Sequence, residues 1–199
     1  KTILGDVNQP VNPYSASSAE GIEDVFPQGE IVKLFRSYRS TWEITQFSLR
    51  ISPNEKLIAM ERHGEEPQVL GFATVQEEIT AIYKECLKFS NSANQSLGII
   101  CKTQQQAEKL YEKIKTTDDQ EKKLKLHLIT PTSTNFSSGI IITTVHLSKG
   151  LEFDEVLVPF VSASNYKSDI DRRMLYIACT RAMHRLTLTY EKERSRFLE

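Results

Sequence analysis

Leu97-Gly98-Ile99-Ile100-Cys101, followed at helical spacing by Ala107, Leu110, Tyr111 and Ile114, decides the fold class. The first run is short, β-branched and apolar at consecutive positions, so it offers no side to water. Strands of that kind belong in a sheet covered on both faces. The later apolar positions fall three to four apart, as one buried face of a helix requires. A doubly buried strand followed by an amphipathic helix is the repeating unit of an α/β layered domain.

The same alternation extends outward in both directions. Residues 31–35, 69–74, 126–129, 140–145, 155–160 and 186–190 read as further strands, several of them apolar on both faces. Ile79, Ile82, Tyr83 and Cys86 mark a second helix. Ile44, Phe47 and Ile51 mark a third, which Ser40-Thr41-Trp42-Glu43 should open as a capping box starting at Ser40. Residues 169–182 read as the last helix, with Ile170, Met174, Ile177 and Ala178 on one stripe. Residues 90–96 and 130–139 are loop-like, and 64–67 mark an exposed turn. The expected fold is a mostly parallel sheet with helices on both faces.

Composition narrows the function. The 199 residues are 39% hydrophobic and 26% charged, which suits one domain with a real core. No apolar window is long enough to span a membrane and no signal peptide opens the chain, so a cytoplasmic setting is expected. Cys86, Cys101 and Cys179 lie far apart with no ligand spacing around them. They read as small core residues, with no metal site. Net charge is −1, from 25 Lys+Arg against 26 Asp+Glu, which excludes a broad basic footprint. The balance is uneven, however. Residues 1–30 hold one base and five acids, whereas 165–199 hold eight bases and five acids, so an anion site is expected late in the chain. The start at Lys1, running into Thr2-Ile3-Leu4-Gly5-Asp6, reads as a cut through a larger protein.

Three segments carry chemistry. Arg181 falls between Ile170 and Met174 on the wheel of the last helix, so a permanent cation projects from a face that should be buried. A buried cation needs an anion. An internal carboxylate, or a helix-end position that lets the side chain reach the surface, would satisfy it as well as a ligand would. In Ser37-Tyr38-Arg39-Ser40, a ring and a guanidinium sit between the end of a strand and the start of a helix. Ligands bind at the carboxyl edge of open α/β sheets, so Tyr38 on a base and Arg39 on a phosphate would suit a nucleotide; a plain turn with a solvated arginine is the alternative. In Thr143-Thr144-Val145-His146-Leu147-Ser148-Lys149-Gly150-Leu151-Glu152-Phe153, hydroxyls, imidazole and lysine could donate to phosphate, and Glu152 could accept from a sugar. A Gly-x-x-x-x-Gly-Lys-Ser/Thr phosphate loop occurs nowhere.

Taken in order, Leu4-Gly5-Asp6-Val7-Asn8-Gln9, Ser37-Tyr38-Arg39-Ser40, the segment 144–153 and Arg172-Arg173-Met174-Leu175-Tyr176-Ile177-Ala178-Cys179-Thr180-Arg181-Ala182 resemble the later motifs of superfamily 1 helicases of the UvrD/Rep type. Tyr14-Ser15 after Gln9-Pro10-Val11-Asn12-Pro13 is similar to the HelD-like branch, whose members associate with RNA polymerase. The resemblance implies a RecA-like second motor domain over 31–199, with 1–30 as the trailing segment of the first. It implies catalytic roles for Gln9, Arg39 and Arg181, nucleotide contacts at Tyr38, Gly150 and Glu152, and nucleic-acid contacts at Tyr14, Thr144 and His146.

By the same resemblance the cofactor is ATP, with Mg2+ and the phosphate loop supplied by an upstream motor domain; the 199 residues alone are then expected to be inactive. The partners implied are that upstream domain, single-stranded DNA or RNA and, on the HelD-like alternative, RNA polymerase. Ser37 stands where the family often has asparagine, and Tyr14 where processive members stack a tryptophan. The short stretch 130–139 leaves no room for the large insertion that UvrD and Rep carry near here.

Overall fold

Residues 36–53, 57–118, 124–133 and 138–199 are described by the computed structural model. In chain order they form β1 (Arg36–Ser37), α1 (Trp42–Ile51), β2 (Ile58–Ala59), β3 (Gln68–Phe72), α2 (Val75–Ser90), β4 (Ser96–Cys101) and α3 (Gln104–Asp118). Then follow β5 (Leu126–Leu128), β6 (Gly139–Thr144), β7 (Phe153–Val158), α4 (Asp169–Cys179), β8 (Ala182–Glu191) and a 3₁₀ turn at Arg196–Leu198. The expected strand at 31–35 lies outside the described residues.

Six strands make one sheet in the order β3-β8-β7-β4-β6-β5, and every neighbouring pair is parallel. The strands with consecutive apolar residues, β4, β6 and β7, take the interior positions, whereas the edge strands β3 and β5 are only half-buried. Alternate side chains feed two cores. Ile141, Val156, Val158, Leu186 and Leu188 pack with Ile44 and Phe47 of α1 and Met174 and Leu175 of α4. Ile99, Ile140, Ile142 and Leu157 pack with Ile82 and Cys86 of α2 and Leu110 and Ile114 of α3. Helices therefore cover both faces, as the sequence pattern required.

Gly98 permits a close approach within β4: a Cβ there would stand 2.5 Å from the ring of Phe153. The absence of a side chain lets Phe153 lie against the sheet at the start of β7, and this ring anchors the end of the 144–153 segment.

Helix starts follow local chemistry. Thr74 and Glu77 form a capping box on α2, so Thr74 ends the 69–74 run as a cap and not as strand. Ser168 and Asp171 do the same for α4. At α1 the cap is Thr41, one residue later than expected, with its hydroxyl accepting from Ile44 N. The Ser40 capping box does not form, because both of its polar groups are engaged elsewhere. Ser40 Oγ donates to the Ala182 carbonyl at 2.6 Å. Glu43 turns to His63 Nδ1 at 2.7 Å and Gly64 N at 2.9 Å.

Candidate functional site

Arg181 does not lie within a helix. The expected 169–182 helix stops at Cys179, Thr180 is its C-cap, and Ile170 is 44% exposed, outside the buried stripe. Arg181 is nevertheless only 2% exposed. Its Nε donates to the Ile177 carbonyl at 3.2 Å and its Nη2 to Thr180 Oγ1 at 3.2 Å. The guanidinium thus serves the negative end of α4, where carbonyls lack intrahelical partners and a cation is favoured. Arg181 is therefore buried by its place at the end of α4, not by a place on the helix's apolar stripe.

Arg39 also sits differently from expectation. It does follow β1, but among the described residues β1 pairs with β2 alone, in a separate two-stranded sheet. The carboxyl edge of the main sheet is not where it lies. Arg39 Nε meets Glu152 Oε1 at 2.5 Å, and its Nη1 reaches the Thr180 carbonyl at 3.4 Å. Ser40 and Thr41 then bond the carbonyls of Ala182 and Met183. Phe153 N donates to the Arg181 carbonyl at 3.0 Å, and Phe153 registers with Ala182. Three segments far apart in sequence therefore converge at the amino ends of β7 and β8.

Tyr38, beside this cluster in sequence, is 66% exposed, so its ring is free to stack. Gly150 has φ +89°, a left-handed backbone that favours glycine, and a Cβ there would meet nothing within 4 Å. The half-exposed side chains of Arg39 and Glu152 form an ion pair that a competing anion could open. A planar cation, an exposed ring and an open glycine backbone fit a nucleotide. Arg181, as placed, is committed to the end of α4.

The connection 145–152 leads from the carboxyl end of β6 to the amino end of β7. Because β4 is parallel to both strands, this segment passes from one edge of the sheet to the other. Thr144 and His146 therefore begin at the carboxyl edge, while Gly150 and Glu152 finish at the opposite one. His146 is exposed. Thr144 is 4% exposed, and its hydroxyl accepts from Leu147 N at 3.4 Å, so it shapes the turn. Gln9 and Tyr14 lie outside the described residues.

Sequence reasoning passed over two participants, Arg62 and Thr180, and an ion pair of Lys102 at the opposite edge of the sheet. Arg62, within a stretch read only as leading into a turn, donates through Nη2 to the carbonyls of Arg39 and Met183. Thr180 supplies both a carbonyl to Arg39 and a hydroxyl to Arg181. Lys102, just past β4, pairs with Asp171 at 2.6 Å and donates to the Asn165 carbonyl at 2.5 Å. Burial works against ionisation of Asp171, but hydrogen bonds from Lys102, Ser168 and Lys167 outweigh it and hold the carboxyl at about 2. Only Thr180, adjacent to a quoted arginine, carried any local signal.

An all-parallel six-stranded sheet with helices on both faces defines an α/β domain, and its fold matches that of a helicase C-terminal domain. The model of the UvrD-like helicase C-terminal domain matches residues 139–189, from β6 into β8. The DNA helicase II of Rickettsia typhi (strain ATCC VR-144 / Wilmington) is 35% identical over 78 residues, which cover 33% of this chain and 12% of that protein. The chain thus spans a small part of that relative. The crystal structure of the C-terminal domain of a possible DNA helicase from Lactobacillus plantarum WCFS1 superposes with a TM-score of 0.67 at 29% identity, covering 81% of this chain and 92% of that one. Residues 139–189 are thus similar to the UvrD-like helicase C-terminal domain, and the fold as a whole is similar to that of a helicase C-terminal domain.

Proposed function

We propose that residues 31–199 act as the second motor domain of an ATP-dependent superfamily 1 DNA helicase or translocase, contributing half of an ATP site and part of a nucleic-acid track. One observation carries this reading: Arg39, Glu152 and Thr180–Arg181 gather at the amino ends of β7 and β8. Their convergence makes one surface of the segments that a motor of this kind would turn toward its companion domain. Two of the matched relatives are described as DNA helicases, one of them only as a possible one, which supports the substrate class.

In this reading Tyr38 stacks on the base, Arg39 meets the terminal phosphate, and Gly150 and Glu152 line the ribose and phosphate side. Arg181 holds the end of α4 in place and supplies positive potential at the phosphate. Gln9 would sense the attacking water, and Tyr14, Thr144 and His146 would follow the nucleic-acid strand. When ATP is bound it supplies the transferable phosphoryl group. Positioned guanidinium groups stabilise the charge spread over that group during transfer. Magnesium and the phosphate loop belong to the companion domain.

The test is ATP hydrolysis by the 199-residue chain and by its parent protein, with and without single-stranded DNA. The parent should turn over ATP and be stimulated by the strand, whereas the chain alone should remain at the buffer rate. Magnesium-dependent turnover by the chain alone would refute the half-site reading.

A further inference from the structure

The carboxyl edge of the sheet, opposite the arginine cluster, holds a second feature that the motor reading does not use. A groove of about 1030 Å³ opens between α2 and α3 and over the ends of β7 and β8. Val75, Ile79, Leu110 and Phe160 give it apolar walls, and Glu78 and Glu191 also line it. The exposed rim on α3 carries Glu108 and Glu112 beside Lys109 and Lys113, so it adds no net charge.

Glu78 is the anomaly. Its side chain is wholly buried. Oε1 accepts from Phe160 N at 2.8 Å and from the Thr189 hydroxyl at 2.6 Å, while Oε2 has no hydrogen-bond partner among the described residues. A buried carboxyl oxygen without a donor is costly, and native proteins seldom leave one. Burial pushes the Glu78 carboxyl upward, and the nearby Glu191 carboxylate adds to the effect.

The backbone around the groove is also unusual. Phe160 has φ +62° and Lys192 has φ +57°, just past the ends of the neighbouring strands β7 and β8. A bulky aromatic residue in the left-handed region is strained, and such strain gathers at binding sites. Phe160 is held there by Glu78 on its N–H and by Asn165 Nδ2 on its carbonyl at 2.8 Å.

We propose that this groove binds an aliphatic amine, its methylene chain lying on Val75, Ile79, Leu110 and Phe160 and its ammonium set against the Glu191 carboxylate and over the buried Glu78 carboxyl group. Apolar walls with a few polar groups are the usual make-up of a ligand site, and two carboxyl groups in the lining favour a cation. Glu191 now pairs with Lys192 at 2.9 Å, but Lys192 is 76% exposed and can be displaced. A free polyamine and a lysine side chain on another polypeptide share this chemistry.

The experiment is amide-resolved NMR titration of the 199-residue chain with hexylamine, hexanol, spermidine and the peptide acetyl-Leu-Lys-Leu-amide. Hexylamine should move the Val75, Ile79 and Phe160 resonances, with hexanol at least tenfold weaker. Glu78→Gln should weaken hexylamine tenfold or more. Because that change also touches the Phe160 turn, Ile79→Trp serves as a second variant; it fills the groove, leaves Glu78 in place and should abolish binding. Tighter binding of the peptide would assign the site to a lysine side chain, and tighter binding of spermidine to a free polyamine. Equal binding of hexanol and hexylamine, or no response to any amine, would overturn the proposal.

Discussion

Arg39 and Glu152 stand 113 residues apart and meet at 2.5 Å, Nε to Oε1, at the amino ends of β7 and β8. Both side chains are partly open to water, at 32% and 45% exposure, so the pair contributes at most about 1 kcal/mol to stability. On the proposed motor role, the pair places a guanidinium where an arriving anion can take it over. Arg39→Ala in the parent protein should therefore lower kcat by about a thousandfold. Chemical denaturation should move by no more than about 1 kcal/mol. Unchanged kcat would make Arg39 a tie between segments and nothing more.

Arg181 calls for a different expectation. It is buried and bonds the Ile177 carbonyl and the Thr180 hydroxyl, so Arg181→Ala removes two hydrogen bonds at the end of α4 and empties a buried site, although the Ile177 carbonyl keeps the Thr180 hydroxyl as a donor. The loss should be on the order of 2 kcal/mol by urea denaturation, in addition to any loss of activity. Arg181→Lys should recover only part of the stability, since an ammonium lacks the planar fork that serves both acceptors. A variant as stable as the wild type would remove Arg181 from the support of α4.

Asp171 links acid stability to the junction of β4 and α4. Its folded value of about 2 lies below the ordinary 3.8, so its contribution is present above pH 3.8 and is lost as pH falls toward 2. The difference corresponds to about 2 kcal/mol. Asp171→Asn should flatten the stability profile over that window, and it should also lower stability at neutral pH, because Lys102 loses its anion. An unchanged slope between pH 4 and 2 would show that other carboxylates carry the acid transition.

The three thiols supply a probe of global opening. Cys86, Cys101 and Cys179 are free and fully buried, and burial pushes all three upward, Cys86 to about 12. A thiol reagent at pH 8 needs thiolate and access, and the native state offers neither. Labelling should therefore follow unfolding, with all three reacting at one rate that rises in step with added urea. Rapid labelling of any one without denaturant would mark a local opening near it.

The sheet was legible because β4, β6 and β7 are buried on both faces, and a run such as Leu97 to Cys101 has no other stable setting. Helix ends were less so. Ser40 and Thr41 both suit a cap, and the choice between them was made by the Ala182 carbonyl, 142 residues away, which takes the Ser40 hydroxyl. Likewise the 3.6-residue period continues through Thr180 and Arg181, yet the chain leaves the helix there, with Thr180 as C-cap and β8 beginning at Ala182. The motif segments around Arg39, Glu152 and Arg181 were visible as chemistry. Arg62 and Lys102 were not, since their partners are carbonyls and a carboxylate supplied by segments distant in sequence.

The passage of residues 145–152 from one edge of the sheet to the other leads to the last prediction. His146 is exposed near the start of this connection, after the carboxyl end of β6, whereas Glu152 is at its end, beside Arg39. If the segment joins a nucleic-acid contact to a nucleotide contact, variants at its ends should separate the two functions. In the parent protein, His146→Ala should weaken single-stranded DNA binding about tenfold, the loss of one base or phosphate contact of roughly 1 to 2 kcal/mol. Its KM for ATP measured without DNA should stay as in the wild type. Glu152→Gln should do the reverse, altering the KM for ATP by releasing Arg39 while leaving DNA affinity untouched. If the two ends are coupled through Ser148, whose buried hydroxyl donates to the Val145 carbonyl at 2.9 Å and whose carbonyl receives Leu151 N, both variants should reduce stimulation of hydrolysis by DNA. Fluorescence anisotropy with a labelled strand and steady-state hydrolysis measure the two sets of constants. If His146→Ala altered the ATP constants alone, the roles assigned to the two ends of this segment would have to be exchanged.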